Sequence, residues 1–286
     1  MRVKRRGFTL VELLTVIAII ALLLSLALPA LNEARMKARE VGDKASLRTI
    51  NDAIENFAAE MGHYPNSRRN GVLYPFSGDP TAILDTAAWP PDQGAHVLFE
   101  SLVGLDRIGY QKDHFYYVRD DGKPMTWDYN LGRPVVTERR SPFVKLESVN
   151  VGTMEKAHPA STNFQGNVNN NPVFMDTLDV SQPRPILYYK ARTSRHLLDQ
   201  IYDYGDNAAI TDDINRDTGD PYHERFFNKP AGFYEYIWDP KTGVDPSSGV
   251  ASFGNPSARP YNADTFILIN AGRDHEYGTT DDITNF

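Results

Sequence analysis

Cysteine is absent from the 286 residues of the chain. Its absence excludes a disulfide framework, a thiolate zinc site, an iron–sulfur cluster and a cysteine nucleophile. The chain also lacks the H-E-x-x-H zinc motif, the G-x-S-x-G elbow, the S-x-x-K pair and the Walker phosphate loop. Because active sites assemble from distant residues, missing motifs weaken an enzymatic interpretation without closing it. We predict that the chain is not an enzyme and has no catalytic residues.

Basic residues are in the minority, with 30 Lys and Arg against 37 Asp and Glu and a net charge of -7. The phosphate backbone of DNA or RNA repels such a chain, so we expect no nucleic-acid partner. Apolar residues make up 41% of the composition, which is enough for a packed core and excludes wholesale disorder. The length fits one large domain or two domains of ordinary size.

The apolar residues are concentrated near the N-terminus, where residues 8–30 read FTLVELLTVIAIIALLLSLALPA. Glu12 is the only charged residue of this run. As a helix the run is roughly 35 Å long, which exceeds the ~30 Å hydrocarbon core of a bilayer. Four basic residues lie within the first six positions. By the positive-inside rule, we expect the N-terminus to be cytoplasmic and the chain after residue 30 to be translocated.

Two features separate this run from an ordinary targeting segment. Glu12 places a carboxylate in hydrocarbon, which is costly and normally requires a partner or a function. The basic residues also meet the apolar run abruptly, through the single residue Gly7. A signal peptide cut after Ala30 and a plain signal anchor remain as alternatives, but neither accounts for these two residues.

The segment KRRGFTLVELL, from Lys4 to Leu14, resembles the processing motif of type IV pilins and type II secretion pseudopilins. The resemblance implies that prepilin peptidase cuts between Gly7 and Phe8 and that the new N-terminus is methylated. Glu12 then becomes the fifth residue of the mature chain. An acid buried in lipid can pair with the ammonium group of Phe8 on a neighbouring subunit and so set the register of assembly.

A second helical pattern follows between residues 31 and 62, where apolar residues recur at spacings of three and four. They are Leu47, Ile50, Ile54, Phe57, Ala58 and Met61. Charged residues such as Glu40 and Asp43 form the polar remainder of this helix, and Gly62 is expected at its C-cap. One helix is therefore predicted from about Phe8 to Met61. Its apolar stripe is too short for a coiled coil and predicts packing on a sheet of the same chain.

The remainder of the chain predicts short strands between turns. Gly62-His63-Tyr64-Pro65 resembles the turn after the long helix in major pseudopilins. Gln93-Gly94 with Leu98 and Leu102 resembles the next short helix of that family. An insertion is then expected at 66–92, and the polar, Asn-rich segment 150–183 is expected to be a surface excursion. Runs rich in Tyr, Phe, Val and Ile predict strands at His114–Val118, Pro134–Thr137, Phe143–Glu147, Pro185–Ala191, Phe233–Trp238 and Thr265–Asn270.

Taken with the resemblance, these patterns imply an α+β, pilin-like fold. Its long N-terminal helix, transmembrane and then amphipathic, would pack on an antiparallel sheet in an enlarged head with long loop insertions. The expected divisions are a leader at 1–7, a transmembrane and polymerisation helix at 8–30, an amphipathic helix at 31–62 and a periplasmic globular head at 63–286. The protein is expected to be a single-pass protein of the inner membrane.

The C-terminal segment carries three aspartates, Asp274, Asp281 and Asp282, between turn-forming glycines. Calcium prefers several oxygen ligands, from carboxylates and backbone carbonyls. The segment resembles the C-terminal calcium loop of major pseudopilins, which has one aspartate and an acidic pair seven and eight residues later. The resemblance implies a structural calcium ion held by these three side chains. A glycine often follows the first aspartate in that family, and His275 stands there in this chain. A solvated acidic tail is the alternative.

A second acidic cluster lies at 199–224, where eight acids accompany one base. Asp213, Asn215, Asp217 and Glu224 imitate the spacing of an EF-hand loop, but Thr218 stands at the position that requires glycine. A solvated loop is the favoured interpretation of this segment, and whether it holds a second ion stays open.

The resemblance implies that the chain is a structural subunit of a type II secretion pseudopilus. The implied partners are prepilin peptidase, copies of the chain itself and other pseudopilins, the platform protein and ATPase of the machine, and the lipid bilayer. A type IV pilus subunit, major or minor, is one alternative. A membrane-anchored binding module with a borrowed leader is another, and a deep pocket with convergent polar groups would favour it.

Overall fold

A computed structural model describes residues 10–67, 93–104, 107, 109, 117–118, 124–128, 133–135, 141–154, 172–179, 182–208, 210–211 and 230–286. Within them, the helices are α1 (Leu10–Met61), α2 (Gly94–Val103), α3 (Leu198–Ile201) and α4 (Pro230–Ile237). The strands are β1 (Tyr117–Val118), β2 (Pro124–Asp128), β3 (Arg133–Val135), β4 (Asn150–Thr153), β5 (Pro172–Met175), β6 (Leu187–Lys190), β7 (Phe266–Asn270) and β8 (Ile283–Thr284). The predicted α+β class and the long N-terminal helix are confirmed.

Strands β6, β7 and β8 form the antiparallel central sheet, with β7 in the middle. Every residue of β7 is buried, so both faces of this sheet are covered. Because side chains alternate along a strand, Phe266 and Leu268 enter one apolar cluster, and Ile267 and Ile269 enter another on the opposite face. The central sheet therefore divides the core of the head into two layers.

Helix α1 covers the first face of the central sheet. Its residues Leu47, Ile50, Ile54 and Phe57 are at most 4% exposed and belong to the same cluster as Leu268. Burying each of these side chains contributes about 1.5–3 kcal/mol. Helix α2 joins this cluster through Leu98 and Leu102, among others. The prediction that the apolar stripe of α1 packs on a sheet of the same chain is confirmed.

The opposite face of the central sheet is covered by α3 and α4. Phe233 and Ile237 are fully buried, and both belong to the second cluster together with Ile201. The strand predicted at Phe233–Trp238 is therefore wrong for residues 233–237, which lie in α4. Phe233 and Ile237 are four residues apart, so a helix places both side chains on one face toward the core.

Two other predictions need correction. Phe143–Glu147 is not a strand, because the chain bends there and enters a 3-10 turn at Leu146–Ser148, while Val144 is buried in the first cluster. The segment 150–183 is not wholly a surface excursion, since β4 and β5 pair antiparallel at its ends and β5 is buried. The N–H of Ile186, the residue before β6, donates a hydrogen bond of 2.8 Å to the carbonyl of Phe174 in β5 and so links the two strands.

The remaining strand predictions agree with the structure where it describes them. Thr265–Asn270 and Pro185–Ala191 contain β7 and β6. His114–Val118 and Pro134–Thr137 overlap β1 and β3, which flank β2 in an antiparallel meander, and their other residues lie partly outside the described chain. The short helix predicted around Leu98 is α2. Most of the insertion predicted at 66–92 lies outside the described residues.

Asn207 fixes the start of α2 against the central sheet. Its fully buried amide accepts from the backbone N–H of Ala95 at 3.0 Å and donates to the carbonyl of Tyr188 at 2.8 Å. The contact brings the backbone so close that a Cβ on Gly94 would lie 2.3 Å from the Tyr188 carbonyl oxygen. Glycine is therefore required at residue 94 for α2 to reach β6.

Candidate functional site: the stem helix and the C-terminal loop

The N-terminal part of α1 extends beyond the core of the head and is named the stem (residues 10–42). Large apolar side chains from Leu10 to Leu31 are between 45% and 73% exposed. The most apolar 18-residue window of α1 has a mean hydropathy of 2.7, and by length and composition the helix is able to cross a membrane. A continuous apolar surface of this size requires cover from lipid or from other apolar helices.

The predicted assembly residue Glu12 lies in the first turn of α1, within this apolar surface. Its neighbours Val11 and Leu13 are 66% and 58% exposed. The predicted processing residues Gly7 and Phe8 lie outside the described chain. The structure thus places Glu12 on the stem, whereas its pairing with Phe8 of another subunit remains a prediction.

One face of α1 continues from the core of the head into the stem. Toward the N-terminus, the buried residues Leu47 and Ile50 are followed on the same face by Asp43, Glu40, Met36 and Glu33, at spacings of three and four. The stripe that contacts the head therefore changes from apolar to mainly acidic near residue 43. The three acidic residues of this stripe, Asp43, Glu40 and Glu33, are named the joint between stem and head.

Asp43 is the buried residue of this joint. Only 1% of it is exposed, and its carboxylate accepts from the backbone N–H of Thr177 at 2.9 Å and from the Thr177 hydroxyl at 2.5 Å. Asn270 of β7 donates to it at 3.3 Å. Burial raises the pKa of Asp43, against the opposing effect of these hydrogen bonds. The sequence pattern places Asp43 in the polar remainder of the helix, and the structure shows that this polar residue is buried.

Asp176 lies beside this site and is also only 1% exposed. One carboxylate oxygen accepts from the backbone N–H of Arg184 at 2.9 Å, and the other is buried without a hydrogen-bond partner in the described part of the chain. Burial raises the pKa of Asp176 from its usual 3.8 to about 7, and the negative charge of Asp43 adds to this increase. The sequence pattern indicated neither aspartate, because their burial depends on contacts between distant segments.

Arg273, from the C-terminal segment, connects the head to the stem. Its Nε and Nη2 atoms donate to Glu40 Oε2 at 3.0 and 2.7 Å, and Nη1 donates to Glu33 Oε1 at 3.4 Å. Hydrogen bonds from Lys44 and then from Arg273 lower the pKa of Glu40. Arg39 adds a second link by donating to the carbonyl of Leu178 at 2.9 Å.

The C-terminal loop (residues 270–282) brings the three predicted calcium ligands into one turn. Gly272 closes it with a φ of +64°, and a Cβ there would lie 2.4 Å from the carbonyl oxygen of Asp281. Asp281 Oδ2 accepts from the backbone N–H groups of Arg273 and Asp274 at 2.7 and 3.1 Å. Burial opposes ionisation of Asp281, but hydrogen bonds led by that of Thr279 hold its pKa below the usual value.

The other two aspartates also bind groups of the loop. Asp282 Oδ2 accepts from the Tyr236 hydroxyl at 2.6 Å and from the backbone N–H of Gly278 at 2.8 Å. Burial raises the pKa of Asp282 to about 7. Asp274 accepts from the backbone of Glu276 at 2.9 Å, and partial desolvation, with the adjacent Asp281 carboxyl, raises its pKa to about 6.

The side-chain types of this loop suit a calcium ion, but the arrangement of those side chains does not. None of the three carboxylates accepts from a Lys or Arg side chain in the described contacts, and carboxylate oxygens are the ligands that calcium prefers. However, no group of three or more His, Asp or Glu side chains among the described residues is arranged to hold a metal ion. An ion would therefore have to displace some of the loop's own hydrogen bonds.

His275 occupies the position where a glycine is frequent in the resembling family. Its φ of +63° lies in the left-handed region that glycine favours, so the loop keeps the glycine-like turn with a histidine in it. The acidic segment at 199–224, by contrast, lies largely outside the described chain. Its EF-hand-like residues all lie outside the described residues; they are Asp213, Asn215, Asp217 and Glu224.

Comparison with known proteins adds one finding. Residues 2–28 match the family model described as the prokaryotic N-terminal methylation motif. No curated protein and no solved structure matches the chain at a significant level. The match covers the basic leader, Gly7, Phe8, Glu12 and most of the apolar run, and it indicates a precursor of the type IV pilin and pseudopilin class. It extends neither into the head nor to the C-terminal loop.

The raised pKa of Asp176 predicts that the fold becomes less stable as the pH rises. Between pH 3.8 and about 7, folded Asp176 keeps a proton that the unfolded chain releases. The stabilisation of the fold by this bound proton is therefore complete below pH 3.8 and is lost above about pH 7. We expect the melting temperature of the purified protein in chelator to fall between pH 5 and pH 8. Asp176→Asn keeps the acceptor for Arg184 and should make this decline shallower.

The matched control is Asp199→Asn, which changes an exposed aspartate of α3. It should follow the wild-type profile. Asp43, Asp274 and Asp282 also have raised pKa values, so a shallower slope is expected in Asp176→Asn, not a flat one. Equal slopes in Asp176→Asn and wild type would contradict the assignment.

Proposed function

We propose that the chain is a structural subunit of a type II secretion pseudopilus and supports protein export as part of a membrane-anchored filament. The observation that carries the proposal is the N-terminal methylation motif at residues 2–28, which includes the start of a helix whose apolar part the head does not cover. A helix of this kind is suited first to the bilayer and then to packing against the same helix of other subunits.

In this proposal, prepilin peptidase removes residues 1–7 and leaves methylated Phe8 as the mature N-terminus. Removal of the leader would take four of the 30 basic residues and none of the 37 acidic ones. Residues 8–30 would cross the inner membrane and later pack in the filament, residues 31–62 would connect to the head, and residues 63–286 would lie in the periplasm. The platform protein and the ATPase of the machine would drive assembly.

Glu12 would select the register in which each subunit joins the filament. A carboxylate surrounded by hydrocarbon is stabilised strongly by a cationic partner. The N-terminal ammonium group of Phe8 on a neighbouring subunit would provide that partner. Only a register that brings the two charges together would avoid an unpaired charge in the apolar layer.

Calcium would serve as a structural ion in the C-terminal loop. Asp274, Asp281 and Asp282 lie in one turn closed at Gly272, and a bound dication would offset the mutual repulsion of their charges. The likeness of this loop to that of major pseudopilins favours a secretion pseudopilus. A type IV pilus subunit shares the N-terminal motif and is the second candidate.

The first test is the N-terminus of the mature protein. We expect mass spectrometry of the membrane-extracted protein to show a chain that begins at methylated Phe8, because the cleavage junction lies between Gly7 and Phe8. Gly7→Leu should block the cut and leave the leader attached. A mature N-terminus at Met1 or Leu31 in the wild-type protein would refute the proposal.

The second test is assembly. Glu12→Gln keeps the size of the side chain and removes its charge, so we expect normal cleavage and a loss of filaments, measured by shearing and electron microscopy. Glu55→Gln is the matched control, since Glu55 lies on the part of α1 that packs on the head. Wild-type filament yield from Glu12→Gln would exclude the docking role.

The third test concerns the ion. We expect addition of calcium after chelation to raise the melting temperature of the wild-type protein, because an ion that binds only the folded state stabilises it by mass action. Asp281→Asn should lose most of this increase. Asp245→Asn, in an exposed turn of the head, should retain it. Equal melting temperatures with calcium and with chelator would count against a structural site while leaving the assembly proposal intact.

A further inference from the structure

Helix α1 contains one interior glycine at the boundary between stem and head, Gly42. It follows Val41, which is 67% exposed, and precedes Asp43, which is 1% exposed. A Cβ added to Gly42 would meet no atom within 4 Å, so packing does not require glycine there. Glycine in a helix costs about 1 kcal/mol relative to alanine, because the unfolded chain loses more conformational freedom.

The polar links between head and stem that the described residues make lie on the N-terminal side of Gly42. Arg273 contacts Glu40 and Glu33 through its guanidinium group, and Arg39 contacts the carbonyl of Leu178. The hydrogen bonds of Arg273 reach as far as Glu33, which lies ten positions before Asp43, the first buried residue of α1. On a helix this distance is about 15 Å.

The backbone of Arg273 is held independently of its side chain. Its N–H donates to Asp281 Oδ2 at 2.7 Å, within the C-terminal loop. The guanidinium group is therefore presented to the stem from a fixed point on the head. Its three hydrogen bonds to two carboxylates constrain direction, even though exposed ion pairs contribute little to the free energy of folding.

We infer that Gly42 is a hinge between stem and head, and that Arg273 is the positioning residue that holds the stem in one direction. Without Arg273, the helix is free to bend at Gly42, where glycine weakens it next to the packed part, while that part, from Asp43 onward, keeps its place. This hinge is a property of the single subunit and does not depend on the proposed secretion role.

The size of the motion makes the inference measurable. The helix rises about 15 Å between residues 32 and 42, a stretch that contains no proline, so a bend of about 20° at Gly42 moves residue 32 by roughly 5 Å. Because the chain has no native cysteine, Asn32→Cys and Glu235→Cys give one spin label on the stem, between Pro29 and Gly42, and one on α4. Pulsed electron paramagnetic resonance then reads their distance in the full chain in detergent, diluted with unlabelled protein.

We expect a narrow distance distribution in the otherwise wild-type chain and a broad one, spread over roughly 5 Å, in Arg273→Ala. Adding Gly42→Ala to Arg273→Ala should narrow the distribution again, because alanine stiffens the helix at an open position. Arg195→Ala is the matched control, since Arg195 is an exposed arginine of the head, and it should resemble wild type.

An unchanged distribution in Arg273→Ala would refute the positioning role. A distribution that stays broad in Gly42→Ala/Arg273→Ala would refute the hinge at Gly42. The double variant Glu33→Ala/Glu40→Ala removes the same contact from the stem side and should reproduce the broadening without a change in the C-terminal loop. Variants without Arg273 or without the two glutamates should melt close to wild type, and Gly42→Ala should not lower the melting temperature, which separates loss of direction from loss of folding.

Discussion

The burial of one stripe of α1 against the central sheet is the contact on which the rest of the molecule depends. Leu47, Ile50 and Ile54 cover the face of β7 that carries Leu268, and each is buried almost completely. Without this cover, the sheet would expose one apolar face to solvent, and the stem would have no fixed attachment. The same contact also directs the N-terminal half of α1 away from the head.

Beyond the core, the stripe keeps its spacing but changes its chemistry. Glu33, Glu40 and Asp43 replace apolar residues, and the head meets them with Arg273, Thr177 and Asn270. Polar contacts of this kind are directional, whereas apolar contacts are not. The apolar part of the stripe therefore supplies most of the stability, and the acidic part sets the direction in which the stem leaves the head.

The elements that were predicted correctly are those specified by local pattern. Helix α1 follows a sustained spacing of three and four, and β7 is a short apolar run bounded by turns. The error at Phe233–Trp238 arose because aromatic residues favour strands on average, while the helical spacing of Phe233 and Ile237 serves the core better. The strand predicted at Phe143–Glu147 is wrong for a similar reason. Its apolar residues favour a strand on average, but Val144 reaches the core from a turn.

The sequence by itself determined the N-terminal part of this protein. The basic leader, Gly7, Phe8, Glu12 and the apolar run are contiguous, so their chemistry is readable without a fold. The contacts of the joint, in contrast, are determined only by the tertiary structure. Asp43 meets Asn270 and Glu40 meets Arg273 across more than 200 residues of chain. Burial, hydrogen bonding and shifted pKa values arise from such distant pairs, which no local spacing specifies.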